Sequence, residues 1–155
     1  MPEQPKDLSG WLSYIGQQHP KGIDMGLERF SRVQHALNLK QPAPRVITIA
    51  GTNGKGSTAR VTEALLLDAG YSVGTTLSPH VWRFNERIRI DGVEASDATI
   101  CNAFAAIDEA RDDLPLTYFE FSALAALFCM ARSKVDIAIL EIGLGGRLDA
   151  FNAVD

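Results

Sequence analysis

An α/β fold, in which a parallel sheet is flanked by helices, follows from three observations on this 155-residue chain. Apolar β-branched runs alternate with stretches of helical periodicity. One of those runs enters a glycine-lysine turn that opens a helix, and another enters a glycine-rich turn with acids at its start and end. Strands alternating with helices demand crossovers, which are right-handed in nearly all parallel sheets, and such sheets take ligands outside the carboxyl ends of their strands.

Leu8, Trp11, Leu12 and Ile15 fall at helical spacing, and Leu27, Phe30, Val33 and Leu37 do so again after a break at His19-Pro20-Lys21-Gly22. Two short helices therefore precede the first strand. Gln41-Pro42-Ala43-Pro44 forms a stiff connector, and Val46, Ile47 and Ile49 read as a buried parallel strand ending at Ala50. The next helix is expected from Ser57 to about Ala69, with Val61, Ala64 and Leu65 on one face and Gly70 ending it.

A second strand is expected from Tyr71 to Thr76, then an irregular segment through Ser78-Pro79-His80, then a strand from Arg87 to Ile90 that turns at Asp91-Gly92. Helices follow from Ser96 to Arg111 and from about Thr117 to Arg132, the latter burying Phe121, Leu124, Ala125, Phe128 and Cys129 along one stripe. Val135 to Leu140 is the third strong strand, and it feeds Glu141-Ile-Gly-Leu-Gly-Gly-Arg-Leu-Asp149.

Composition narrows the class. Hydrophobic residues make up 46% and charged residues 22%, which suits a globular domain with a real core, and no apolar run approaches the ~18–20 residues of a membrane span. A net charge of −4 without a basic cluster argues against nucleic acid as the main partner, so an anionic ligand must be met by local groups. Met1 to Asp7 is polar with two prolines and lacks the basic-then-apolar order of a secretory signal, which points to the cytoplasm. Cys101 and Cys129 fall in predicted helices without paired metal-ligand spacing and read as reduced, packed thiols.

Gly51-Thr-Asn-Gly-Lys-Gly-Ser57 carries the chemistry. Glycines let the backbone bend around an anion, the helix N-terminus keeps its amides free to donate, and Lys55 adds positive charge beside the outer phosphates. The common phosphate loop is only partly matched: the first glycine stands closer to Gly54 than four intervening residues would put it, and Gly56 separates Lys55 from the hydroxyl of Ser57. An ordinary strand-turn-helix junction is the bland alternative. The Gly51–Ser57 loop, the Ser78-Pro79-His80 segment and Glu141 all fall at strand ends and should converge on one crevice. Taken singly, a serine before proline is usually a turn former, a glutamate after an apolar strand is usually a loop-side acid, and Tyr118 and Phe119 usually just start a helix and pack.

Four strings in order resemble the folylpolyglutamate synthases, including the bacterial bifunctional dihydrofolate synthases, within the ATP-dependent ligases that also contain the muramyl ligases. They are Gly51–Ser57; Ser78-Pro-His80 with Phe84-Asn-Glu-Arg87; Thr117-Tyr-Phe-Glu-Phe121; and Leu140-Glu-Ile-Gly-Leu-Gly-Gly-Arg-Leu-Asp-Ala150. Upstream, Ile23 to Arg29 looks like that family's pterin-side loop. The resemblance implies a phosphate-loop, muramyl-ligase-like domain, with 1–44 forming the N-terminal helices and pterin-side loop and 45–155 the α/β core.

Carried over residue by residue, the resemblance has Thr52, Asn53, Gly54, Lys55, Gly56 and Ser57 wrap the ATP phosphates, with Lys55 serving catalysis. Ser78 and Glu141 become ligands to Mg2+. Ile23, Asp24 and Met25, Thr117, Tyr118, Phe119 and Glu120, and Leu148, Asp149 and Ala150 match positions that hold dihydropteroate. The implied reaction is amide formation: ATP phosphorylates a carboxylate, and the amine of L-glutamate attacks the acyl phosphate and expels phosphate. Addition of the first glutamate and extension of a folate tail both remain open. Phe151 stands where the family usually has threonine.

A histidine that completes the metal site, a lysine carbamylated in many members, the adenine contacts and a C-terminal glutamate-binding domain would lie outside these 155 residues. The chain alone is therefore expected to be inactive and to expose a sheet edge, the full-length enzyme being monomeric. Two alternatives stay open. One is another phosphate-loop NTPase or kinase, although no Asn-Lys-x-Asp string is present and Gly56 occupies the position of the usual metal-binding hydroxyl. The other is a non-catalytic nucleotide-binding module.

Overall fold

The computed structural model describes residues 4–18, 27–143 and 149–154. Two short helices lead in. Helix α1, Leu8–Ile15, is started by the Asp7 carboxylate, which accepts from the Gly10 amide at 2.7 Å, and it buries Trp11 and Ile15. Helix α2, Leu27–Ala36, buries Phe30 and Val33.

Strand β1, Arg45–Ile49, runs into helix α3, Lys55–Asp68, and then strand β2, Val73–Thr76. A 3-10 turn at Phe84–Arg87 precedes strands β3, Ile88–Ile90, and β4, Val93–Glu94. Helix α4, Asp97–Ala110, and helix α5, Tyr118–Ser133, are capped by the hydroxyls of Ser96 and Thr117, and strand β5 spans Ile137–Glu141. The expected elements are all present, with ends shifted by one or two residues.

The sheet order is β1-β5-β2-β3-β4. Strand β5 lies parallel between β1 and β2, with Ile49 opposite Glu141 and Thr76 opposite Leu140, so the carboxyl ends of all three stop at one level. The sheet is not parallel throughout, because β3 and β4 pair antiparallel. Asp91 (φ 49°) and Gly92 (φ 78°) make the two-residue turn between them, both in the left-handed region that such hairpins demand.

Helices α1, α2, α4 and α5 cover one sheet face and share the main core, whereas among the described residues α3 covers the other, packing Ala59 over Ile49, Val73 and Ile139. Instead of one stripe, α5 is buried almost all round from Glu120 to Met130, with Phe128 half-buried, because β2 and β3 lie on one side and α4 on the other. Gly74 permits that approach: a Cβ there would sit 2.5 Å from Met130 Cγ.

Helix α3 corrects the sequence reading. Val61 and Leu65 are 60% and 66% exposed and Ala64 is exposed, while Ala59, Glu63, Leu66 and Leu67 turn inward. The inward stripe contains a charged residue, which an apolar pattern cannot reveal. Glu63 is buried because Arg89 of β3 meets both its oxygens at 3.2 and 3.3 Å and Arg60 adds a contact at 3.2 Å. Losing Arg89 would leave the buried carboxylate only the exposed Arg60, so the Glu63–Arg89 pair fixes α3 against β3. Cys101 and Cys129 are free thiols, and burial pushes Cys129 up to about 12. No helix among the described residues is long and apolar enough to cross a membrane.

Candidate active site

The loop after β1 reaches α3 through Gly54, whose φ of 75° is the one position in it that requires glycine for its backbone. Helix α3 starts at Lys55, two residues earlier than the sequence suggests, and Gly54 provides no side-chain cap. The first amides of α3 therefore point out unsatisfied, with the positive end of the helix dipole behind them. Lys55 Nζ folds back onto the Gly51 carbonyl at 3.0 Å, and the Thr58 hydroxyl donates to the Gly54 carbonyl at 2.9 Å. Thr52, Asn53 and Ser57 are exposed around this mouth.

Gly56 brings the second group in. A Cβ on Gly56 would stand 3.8 and 3.9 Å from the two carboxylate oxygens of Glu141, so the end of β5 faces the start of α3 with nothing between. Glu141 is 4% exposed, and Ser78 donates its backbone N–H to Oε2 at 3.0 Å. No Lys, Arg or His among the described residues pairs with it. The Ser78 hydroxyl is buried and has no hydrogen-bond partner among the described residues. A buried carboxylate without a cation and a buried hydroxyl without a partner are both costly, and one oxygen-seeking cation would satisfy both. That donor set fits Mg2+. Among the described residues no group of three His, Cys, Asp or Glu gathers.

A narrow crevice continues from Ser78, lined by Thr76, Arg87, Phe119, Ser122 and Phe151 among others. Gly143 is needed for its shape, since a Cβ there would lie 2.4 Å from Phe119 Cε2 and 3.2 Å from Ser78 Oγ. Phe119 meets Phe151 edge-on at 6.1 Å. Phe151, a departure from the usual threonine, is thus buried as a wall of the crevice. Asp149 ties the far loop down, accepting from the Gly143 and Phe151 amides at 3.0 Å each, and Ala150 is buried beside it.

Thr117 and Glu120 form a capping box: the Thr117 N–H donates to Glu120 at 2.8 Å, the Thr117 hydroxyl accepts from the Glu120 N–H at 3.2 Å, and Arg29 of α2 pairs with Glu120 at 3.0 Å. Their side chains are engaged in holding α5, while the partly buried rings of Tyr118 and Phe119 pack against Phe84 and Phe151 respectively. Ile23, Asp24, Met25 and Leu148 lie outside the described residues.

Behind Ser78, the His80 ring sits edge-on to Phe84, and its Nδ1 accepts from Arg87 Nε at 2.8 Å. Burial, and then the Arg87 charge, lower the His80 pKa, while burial lowers that of Arg87 and raises that of Tyr118. Glu86 takes the amides of Val81, Trp82 and Arg83 at 2.8 Å each, and these bonds hold it below its usual value. Sequence reasoning passed over Arg87, Gly143 and Phe151 as site residues. Gly143 two places after Glu141 was the available signal, because a glycine so near a strand end often marks close approach of a side chain.

Uncapped helix amides, a lysine and a buried carboxylate–hydroxyl pair at the strand ends define a phosphate-loop α/β domain. No family model matches the chain. The chain is 49% identical over 154 residues to the dihydrofolate synthase/folylpolyglutamate synthase of Escherichia coli, covering 99% of itself and 36% of that protein. It superposes on E. coli FolC in complex with DHPP and ADP with a TM-score of 0.97 at 49% identity, over 100% of this chain and 37% of that one. A bifunctional folylpolyglutamate synthase/dihydrofolate synthase with Mn, AMPPNP and L-glutamate bound gives 0.94 at 48% identity, over 100% and 38%. The chain belongs to the dihydrofolate synthase/folylpolyglutamate synthase family, and it spans about a third of the length of the relatives it matches.

Proposed function

We propose that this chain supplies the phosphate loop, part of the metal site and part of the acid-binding pocket of an ATP-dependent ligase that joins L-glutamate to dihydropteroate, extends a folate polyglutamate tail, or does both. The observation that carries this is the meeting of three unsatisfied groups at one level of the sheet: the open amides of α3, the Glu141 carboxylate and the Ser78 hydroxyl. The ligands named for the superposed relatives, namely ADP, AMPPNP, Mn, DHPP and L-glutamate, supply the chemistry that such groups would meet.

In this proposal the amides of Thr52 to Ser57 and the ammonium of Lys55 hold the phosphates and draw charge from the transferring group. Lys55 exchanges the Gly51 carbonyl for a phosphate oxygen. Ser78 and Glu141 hold Mg2+, which when bound neutralises charge on the phosphates. Tyr118 and Phe119 offer faces to a flat acid, and the backbone around Thr117, Glu120, Asp149 and Ala150, with Ile23, Asp24, Met25 and Leu148, completes the pocket. Residues 1–44 and 45–155 act as pterin-side lead-in and nucleotide core, and the parent enzyme works as a cytoplasmic monomer.

Calorimetric titration with Mg2+-ATP, beside Lys55→Ala, tests this. Binding by the wild type that weakens about 10-fold or more in the variant is expected, since a charge-assisted contact is lost. Equal affinity in the two proteins would remove the loop from the nucleotide site.

A further inference from the structure

We propose that Arg87 is the receptor for the carboxylate of the aromatic acid, its guanidinium held ready by His80 and by the rings of Phe84 and Tyr118. The proposal rests on the ligase reading and gives one end of the acid pocket a chemical identity.

Four arginines are buried or half-buried among the described residues. Arg29 pairs with Glu120, Arg89 with Glu63 and Arg111 with Asp108. Arg87 alone of the four has no carboxylate among the described residues. Its Nε donates to the neutral acceptor His80 Nδ1, and its guanidinium carbon stands 5.7 Å from the ring centroids of both Phe84 and Tyr118. An imidazole that accepts through Nδ1 carries its own proton on Nε2 and leaves the arginine charge uncompensated. Aromatic faces offset only part of the cost of burying that cation. Neither Nη donates to an acceptor among the described residues.

The position gives the anion its class. Arg87 lines the same crevice as Ser78 and Phe119, on the side away from α3. The phosphate groups are served by α3, so the guanidinium meets the other reactant, whose flat body the Phe119 ring of the same crevice can take. A planar two-donor fork matches a carboxylate, and its place beside Ser78 would hold that carboxylate next to the metal oxygens. His80 and the two rings restrict the long side chain beforehand, which reduces the entropy lost on binding.

The test titrates dihydropteroate and its neutral carboxamide into the whole chain as wild type, Arg87→Gln and Arg87→Lys, with Mg2+-ATP as reference in each. The wild type should prefer the acid by about 10–100-fold, the usual range for a charge-assisted contact. Arg87→Gln should erase that preference while leaving carboxamide and Mg2+-ATP affinity in place, and Arg87→Lys should recover part of it, since charge remains but the fork does not. If the glutamine variant fails to fold by circular dichroism, a preference reduced severalfold in the lysine variant supports the proposal and an undiminished one overturns it. An intact preference in Arg87→Gln, or a wild type that binds acid and carboxamide equally, also overturns it. Loss of Mg2+-ATP affinity in place of the acid preference would assign the guanidinium to the nucleotide instead. A wild type that binds Mg2+-ATP but neither pterin compound would sink the substrate reading, and the carboxylate with it, while leaving the phosphate loop standing.

Discussion

Gly143→Ala tests the crevice most directly, because the geometry fixes both the sign and the partner. The added methyl would lie 2.4 and 2.6 Å from Cε2 and Cζ of Phe119, well inside van der Waals contact. The ring must swing by about 1 Å or more, at the ~1–3 kcal/mol typical of overpacking. Its edge contact with Phe151 at 6.1 Å would also be lost, which adds about 0.5–1.5 kcal/mol. For a chain of this size the sum, about 1.5–4.5 kcal/mol, lowers the melting temperature by about 3–18 °C. The assay is thermal and urea unfolding in a double-mutant cycle with Phe119→Ala. Gly143→Ala should cost little in the Phe119→Ala background, since the atoms it strikes are gone. The methyl would still stand 3.2 Å from Ser78 Oγ there, so the stability cost of Gly143→Ala should vanish in that background while its loss of stabilisation by Mg2+-ATP does not. An equal cost in both backgrounds would refute the contact as the cause.

Two further outcomes follow from buried groups. Glu141→Gln keeps an acceptor for the Ser78 amide but removes a buried charge that has no cation among the described residues. The ligand-free chain should lose no more than about 1 kcal/mol, the difference between a charged and a neutral acceptor, while Mg2+-dependent stabilisation disappears. A large loss without Mg2+ would make Glu141 a structural residue. Cys129 stays protonated in the fold to about 12 but ionises from 9.0 when unfolded. The unfolded chain therefore holds fewer protons in that window, and stability should fall there by up to about 1.4 kcal/mol per pH unit and not below it. The difference between wild type and Cys129→Ala in alkaline unfolding isolates the effect, and identical pH slopes would contradict it.

Periodicity and punctuation made most of the fold legible. Ser96 and Thr117 marked helix starts, and Asp91-Gly92 marked the hairpin, because caps and left-handed turns depend on local chemistry that a sequence displays. The inward face of α3 was not legible. Its stripe turns on Glu63 meeting Arg89 across 26 residues, and long-range ion pairing leaves no local trace. The loop at Gly51–Ser57 could be read as an anion site from its residues alone. Ser78 and Glu141 needed the resemblance, because neither residue type is unusual at its position. Arg87 was quoted within a string yet left without a role, since its lack of a carboxylate among the described residues is visible only in three dimensions.

The site is built from what the fold leaves unanswered. The starts of α1, α4 and α5 are capped by Asp7, Ser96 and Thr117, whereas α3 starts at a glycine that caps nothing. Thr117 and Glu120 complete each other, but among the described residues the Ser78 hydroxyl has no partner and Glu141 accepts one amide in place of a cation. Each omission costs stability when no ligand is present; in the proposed assembly the nucleotide phosphates would meet the open amides of α3, and one metal ion would answer both Ser78 and Glu141. The chain should consequently be least stable when empty. A ligand at about 100 times its Kd would return about 2.7 kcal/mol, a large share of the stability of an ordinary domain. Occupancy of the site would then be read as much in unfolding as in turnover, which makes melting with and without Mg2+-ATP informative for a chain that spans only a third of its relatives.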